Sequence, residues 1–590
     1  MVSESQSEQS IRVNEVEKGS VPSPPASRNW LLTFTLILGP LLLLALYSKI
    51  VYAGLISSDA LDFAQIGRNI SAGHGMVTYV LRPLALTHGS NVLRQPDVTH
   101  GPLFPFLLAF AFGAVGARDA VASGVSGLFY LLTVPLLYAL GQRVFNRTVG
   151  MIAAAAFAFS GLTLQYAVSG LPITLYTFLI TALFLALYNL ASGKTGQAVS
   201  SEAPLPTMLL LLIGVLTGLL YLTDAVFIWV VPVIIVSVVA ICGPKRRMSV
   251  IKFLVPLGVL MLPWMARNFI LTGNPVFGMR GVELWMGTDH HFPGNMAYSL
   301  YSEEFPRGAY MLSAVFKKIL SGMNSVVRTL PMISDAWILA FLMPCLLFGY
   351  TSRAATLLRR TVIFSAIALL VGMLLFRVEM TLFTCLVPAM LVFSVAYLTH
   401  LFRQAQLSPS STWLVSGLLG ITIFYPVISQ MFLEEKMYGI PEASAAKALG
   451  KMMQPQEAIL SDRPEVAAWY ADHPAIQIPA IDDRVADIRS QFPTTRWLFL
   501  TPSARSQSAP WQALYEKCAR WNAVYAEAQR TNMDVPAVIQ IPATNQPLFK
   551  DLSGFTSVAP EQDSSPSAVI AVLPDPKVSL HSEAGLTPTP

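Results

Sequence analysis

Charge is scarce in this chain. Only 12% of its 590 residues are Asp, Glu, Lys or Arg, where soluble domains carry roughly 25%. A mean hydropathy of +0.55 agrees in excluding ordinary soluble packing for most of the length. Cysteine is nearly absent. The four, Cys242, Cys345, Cys385 and Cys518, form no C-x-x-C pair and no His/Cys cluster with metal-ligand spacing. They read as small buried hydrophobes and say nothing about redox compartment. Walker A and G-x-S-x-G motifs are missing, and no G-x-G-x-x-G stands in a useful context. Nucleotide hydrolysis and soluble-hydrolase chemistry therefore lack support. No internal repeat of the kind left by inverted-repeat transporters is visible. The net charge of +5 is small and spread over short loops, so no nucleic-acid partner is expected.

What is present is a series of apolar runs near the ~20 residues needed to cross a bilayer. Residues 1–28, rich in Ser, Glu, Gln and Pro, read as a disordered cytoplasmic tail. Trp30–Tyr47 is the first span, and its long polar lead-in and lack of an A-x-A-like site argue against a cleaved signal peptide. Gly101–Gly116 is short and flanked by proline, and is expected to be interfacial or re-entrant. Spans then follow at Ala120–Leu140, Val149–Leu164, Leu171–Leu190, Met208–Leu222, Ala225–Ile241, Val250–Met265, Ser334–Tyr350, Val362–Phe376, Leu382–Leu398 and Trp413–Met431. With Gly101–Gly116 left out of the count, the clusters at Arg143/Arg147, Lys245–Arg247 and Arg359/Arg360 all fall on one side. The positive-inside rule makes that side cytoplasmic. The expected fold is a polytopic α-helical membrane protein of about eleven transmembrane helices with a C-terminal extracytoplasmic domain. The transmembrane domain covers 29–432, with outer loops at 51–119 and 267–332. From 433 to 575 alternating strand and helix patterns suggest an α/β unit, and 576–590 a loose tail. Strands are expected at Ala458–Leu460, Ala475–Ile478, Trp497–Leu500 and Val538–Ile541. Helices are expected at Pro441–Met453, Pro464–Tyr470 and Trp511–Ala526.

The few charges gather in the first outer loop, Ser57–Phe106, which holds Asp59, Asp62, Arg68, His74, Arg82, His88, Arg94, Asp97 and His100. A helix from Asp59 to Ile70 puts Asp59, Asp62, Phe63 and Ile66 on one face. Asp59 is a candidate catalytic base, but Ser57, Ser58 and Asp59 also suit a helix N-cap, and spacing does not choose between the two. A base acting on a phosphate-linked substrate needs cations nearby. Arg82 and Arg94 share the loop, Arg267 ends a span beside Asn268, and Arg377 emerges beside Glu379. The planar donor fork of arginine suits phosphate, and interfacial snorkelling is the competing reading for each. The second outer loop adds Glu283, Trp285, Asp289, His290 and His291. A divalent metal on the Asp-His-His run is conceivable. Adjacent histidines rarely ligate one ion with good geometry, so no metal or other cofactor is predicted.

These stretches resemble the GT-C membrane glycosyltransferases, specifically the glycosyltransferase family 39-like group, which includes protein O-mannosyltransferases and lipid A aminoarabinose transferases. DALDFAQIGRNISAGHG is similar to the family's first-loop motif, at Asp59, Phe63, Gly67-Arg68-Asn69 and Gly73-His74-Gly75. HGPLFPFLLA at His100–Ala109 is similar to the start of its juxtamembrane helix. PWMARNFILTGNPVF at Pro263–Phe277 resembles its Pro-Trp, Arg-Asn, Gly-Asn-Pro segment. Pro441–Pro479 resembles the start of the outer domain of many bacterial members. The chain departs in two places. SGLPITLY, with Pro172, has no second acid, and Leu222-Thr223-Asp224 stands where members often carry a basic residue.

The resemblance implies inverting transfer of a sugar from a polyprenyl-phosphate donor within the lipid bilayer to a hydroxyl of a lipid, glycan or protein acceptor. It implies Asp59 as general base. Asp62, Arg82, His100, Arg267, Asn268, Glu283, Arg377 and Glu379 are the expected substrate-binding residues. It also implies a multi-pass cell (inner) membrane location with the active face outside. Two alternatives stay open. One is a transporter or flippase of lipid-linked sugars, although charge at one surface rather than mid-membrane favours an interfacial enzyme. The other is a lapsed homologue acting as a scaffold.

Overall fold

The computed structural model describes residues 34–88, 91–193, 207–243, 246–285, 309–329, 333, 352–406, 408–433, 439–479, 484–507, 509–516, 537–540, 556–558 and 569–572. Among the described residues seven helices are long and apolar enough to cross a membrane: Asp119–Val144, Ile173–Ser192, Ala225–Cys242, Arg247–Thr272, Arg353–Leu375, Met380–Gln404 and Trp413–Leu433. An eighth is a pair, Arg147–Ala158 and Gly161–Ala167, bent by 63°. The continuous span expected over Val149–Leu164 is thus broken. Ser160 breaks it: its hydroxyl accepts from the Thr163 amide and caps a new helix. Leu36–Val51, Leu103–Val115 and Thr207–Thr223 are apolar but shorter. At 13 residues, Leu103–Val115 is about 20 Å long, less than the ~30 Å hydrocarbon core. The expected span at Ser334–Tyr350 lies outside the described residues.

Lipid supplies no hydrophobic drive for helices to associate, so small residues set the close contacts. Gly214 and Gly218, a G-x-x-x-G pair, lie against Phe253 and Leu260 of the Arg246–Thr272 helix with no room for a Cβ. Gly141 and Gly150 do the same between Asp119–Val144 and Arg147–Ala158. At one end of the bundle Arg143 donates to Asn189 (2.6 Å), and Tyr188 donates to the Arg143 carbonyl (2.7 Å). The other end carries the first loop. The second loop contains a 21-residue amphipathic helix, Ala309–Thr329, where the sequence reading leaves only a loop. Its exposed stripe of Leu312, Phe316, Leu320, Met323 and Val327 has helical period but too little total hydropathy to read as a span.

The C-terminal unit is built on a sheet of seven strands among the described residues. They are β1 (Val80–Leu81), β2 (Ala458–Ser461), β3 (Ala475–Gln477), β4 (Thr495–Leu500), β5 (Ala537–Gln540), β6 (Thr556–Val558) and β7 (Val569–Val572). Their order is β1-β3-β2-β4-β5-β7-β6. β1, β3, β2 and β4 run parallel, and β5 is antiparallel to β4. Strand β1 belongs to the first loop, Ser57–Phe106. The same loop sends Leu81, Leu86 and Val92 into the core formed by Leu460, Ile476, Leu498 and Trp511. Loop and C-terminal unit therefore share one core and lie on the same side of the helices.

A second seam locks them together. Arg68 donates to the Ala468 and Trp469 carbonyls at the end of the Pro464–Tyr470 helix, both at 2.8 Å, and pairs with Asp472 at 2.7 Å. Trp469 and Tyr470 donate to opposite oxygens of Asp119, at 2.7 and 2.9 Å.

Candidate active site

The site grows from the Ser58–Ser71 helix. Its N-cap is Ser57, without a side-chain capping bond. Asp59 sits in the first turn, exposed, its carboxylate not spent on capping. One turn later Asp62 is fully buried. It accepts from Arg82 at 2.7 Å and Gln65 at 2.9 Å, with His100 Nε2 at 3.5 Å. Asp62, expected to bind substrate, holds Arg82 and His100 in place. Thr78 ties Gln65 to the strand that follows, at 2.8 Å.

His100 lies between two acids. Its Nδ1 is 3.2 Å from Asp97, and its amide donates to the other Asp97 oxygen at 2.9 Å. Burial alone would lower the His100 pKa, but Asp62 and Asp97 outweigh it and push it up. Burial would likewise raise Asp97, but the charge and hydrogen bonds of His100, with help from Arg82, hold it at about 2. Phe63 packs edge-on against the His100 ring at 4.7 Å.

Two helix ends and a turn close on this core. Arg267 stacks on Trp264 at 4.5 Å and donates through Nη2 to the Asp97 carbonyl at 2.8 Å. Its Nη1 is buried with no partner among the described residues, and the Oδ1 of buried Asn268 is likewise unsatisfied. Gly101 lies against the Leu222 and Thr223 carbonyls, and Gly278 against the Val98 carbonyl, each without room for a Cβ. Met279 donates to that same carbonyl at 2.9 Å. The 97–101 turn is therefore clamped between the end of the Thr207–Thr223 helix and the Gly278–Leu284 turn.

The clamp carries a charge cluster that the sequence reading missed. Arg280 makes two bonds to Asp224, at 2.9 and 2.8 Å, and meets buried Glu283 at 3.3 Å. Asp224, at the position where a basic residue was expected, holds Arg280. Glu283 is engaged by Arg280 and 2% exposed, so it is an anchor of this cluster. Glu379 is half-buried, accepts from Thr381 at 3.1 Å and has its pKa raised by burial, opposed by Arg280 and Arg377 and reinforced by Asp224 and Asp59. Arg377 makes no hydrogen bond among the described residues and lies within electrostatic reach of Glu379. Asp289, His290 and His291 and the His88 side chain lie outside the described residues. Among the described residues no group of three His, Cys, Asp or Glu is placed to hold a metal.

A large helical layer capped by an α/β unit, with a charged first loop between them, can be compared with solved structures. ArnT from Cupriavidus metallidurans bound to undecaprenyl phosphate superposes with a TM-score of 0.53 at 13% identity, over 82% of this chain and 94% of that one. The Archaeoglobus fulgidus oligosaccharyltransferase in complex with zinc and sulfate does so at 0.53 and 12%, over 81% and 69%. AglB of the same organism, with an inhibitory peptide and a dolichol-phosphate, gives 0.53 and 11%, over 83% and 71%.

The chain has a GT-C fold. No family model and no curated protein matches its sequence.

Within this GT-C fold the first loop, the Arg267 segment, the Gly278–Leu284 turn and the Arg377–Glu379 corner meet at one end of the bundle. Asp59 and Glu379 are close enough to influence each other electrostatically. Arg280 and Asp224 are 56 residues apart, so no local pattern could pair them. Asp97 and His100 had a local signal in their three-residue spacing.

Proposed function

We propose that this protein is a membrane glycosyltransferase that moves a sugar from a polyprenyl-phosphate donor to an acceptor hydroxyl, with inversion and with Asp59 as general base. The observation that carries this reading is a carboxylate not spent on capping, Asp59, which acts with Arg377 on Glu379, together with the unpartnered Nη1 of Arg267, which holds the same loop through the Asp97 carbonyl. Two similar structures were solved with a polyprenyl-type phosphate, undecaprenyl phosphate in one and a dolichol-phosphate in the other, which supports the same donor class here. Asp59 takes the proton of the acceptor hydroxyl. The acceptor oxygen bonds to the anomeric carbon from the face opposite the lipid phosphate. The bond from that carbon to the phosphate oxygen breaks, and its electron pair leaves with the polyprenyl phosphate. Arg267 Nη1 and Arg377 stabilise the charge that develops there. Asp62, His100, Asp97 and Arg82 position the loop and touch no substrate. No step requires a metal. We place the charged face outside the cell membrane, with the C-terminal unit extracytoplasmic.

The test is transfer of labelled sugar from membrane polyprenyl-phosphate donors by wild type and Asp59→Asn at matched expression. Removing a general base typically costs about 10²–10⁴-fold, and a loss of that size in the folded variant is expected. Equal turnover would remove Asp59 from the chemistry.

A further inference from the structure

The C-terminal unit places an acid within electrostatic reach of the first loop. Strands β1, β3 and β2 are parallel and in register, with Leu81 opposite Ile476 and Ile476 opposite Leu460. The residues that follow β1 and β2 therefore emerge at the same carboxyl edge of the sheet. After β1 comes Arg82, the partner of Asp62. After β2 come Asp462, Arg463 and then Glu465 in the first turn of the Pro464–Tyr470 helix. Carboxyl edges of parallel sheets are where such folds present ligand-binding groups. The neighbours of Glu465 on that edge have other partners: Asp462 accepts from the amide and hydroxyl of Thr501, at 2.9 and 2.6 Å, and Arg463 reaches Glu442 at 3.5 Å. Glu465 is half-buried; its carboxylate accepts from its own amide and has no other hydrogen-bond partner among the described residues.

The charged groups facing it are Asp62 and Asp59 of the Ser58–Ser71 helix and Arg82 of the first loop. Burial and Asp62 raise its pKa, against Arg82, to about 7. Asp59 thus lies within electrostatic reach of an acid on each side, Glu379 from the membrane helices and Glu465 from the C-terminal unit. The free arginine donors belong to the membrane side. A carboxylate repels a phosphate and attracts a hydroxyl donor.

We propose that Glu465 is the acceptor-side carboxylate of the site and accepts a hydrogen bond from an acceptor hydroxyl while Asp59 removes the reacting proton. This rests on the transferase reading above. It makes the C-terminal unit part of the acceptor site, although that unit carries no recognisable catalytic motif.

The experiment is steady-state kinetics of full-length wild type, Glu465→Gln, Glu465→Asp and, as a control on the same unit, Glu516→Gln. Glu465→Gln raises the acceptor KM about tenfold, as the loss of one charged hydrogen bond predicts, with donor KM little changed. In wild type the acceptor KM rises as pH falls through about 7, where Glu465 takes up a proton. Glu465→Gln abolishes that limb, and Glu465→Asp retains it. A role confined to folding would lower yield in Glu465→Gln without separating the two KM values or altering the pH profile. If wild type turns over and Glu465→Gln matches it in acceptor KM and pH profile, this inference falls and the transferase reading stands. If wild type transfers sugar from no lipid-phosphate donor, the transferase reading falls and takes this inference with it.

Discussion

A carboxylate is defined by what surrounds it, and Asp59 and Asp62 show this three residues apart. Asp62 is buried and fully engaged by Arg82, Gln65 and His100. Asp59 is exposed and free of capping duty. Removing one partner of a buried ion pair leaves an uncompensated charge. Arg82→Ala is therefore expected to destabilise the protein by about 3–5 kcal/mol, read as a lower unfolding midpoint in detergent. The His100–Asp97 pair makes stability depend on pH in two directions. His100 is pushed above its ordinary 6.5, so its contribution is complete below about 6.5 and fades as pH rises through the folded-state value. Asp97 is held at about 2 against an ordinary 3.8, so its contribution is complete above 3.8 and is lost as pH falls through about 2. Unfolding midpoints measured across pH 4–9 should fall on the alkaline side in wild type and fall less in His100→Asn. A wild-type midpoint that does not fall there would contradict this coupling. At this scale the sequence was informative where partners are local. Asp97 and His100 are three apart, whereas Arg280 needed Asp224 from another helix.

At the scale of elements, hydropathy located the spanning helices because lipid demands long apolar runs with their backbone bonds satisfied internally. It missed the break at Ser160, where one hydroxyl supplies the cap that starts a new helix inside an apolar run. It also missed the Ala309–Thr329 helix, whose apolar residues form only a stripe. The Gly214/Gly218 seam makes a definite prediction. Gly214→Leu forces a side chain into the Phe253 backbone and should cost about 1–3 kcal/mol as an overpacked contact. Gly113→Leu, where a Cβ meets nothing within 4 Å, should cost much less. Comparing detergent melting curves of the two variants checks the argument, and equal losses would contradict it.

At the scale of the whole molecule, the first loop is shared between two bodies. It holds the site with its helix and completes the C-terminal sheet with β1 and the Leu81, Leu86 and Val92 side chains. A chain ended at residue 433 should therefore leave those side chains without a core. The expected result is rapid protease cleavage within residues 74–97 and no sugar transfer, whereas the full chain resists cleavage there. Protection in the shortened chain would show that the loop folds without its partner.

Composition and apolar runs by themselves determined a multi-span helical protein with a charged first loop and an alternating strand–helix segment near the C-terminus. Both signals are carried within windows of about 20 residues, the reach of a helix crossing a bilayer. Only the tertiary structure decided that β1 joins a sheet nearly 400 positions later, that Arg280 answers Asp224, and that Glu465 faces Asp59 and Asp62. Those pairings depend on charge compensation and strand register between distant segments, and no local pattern encodes them.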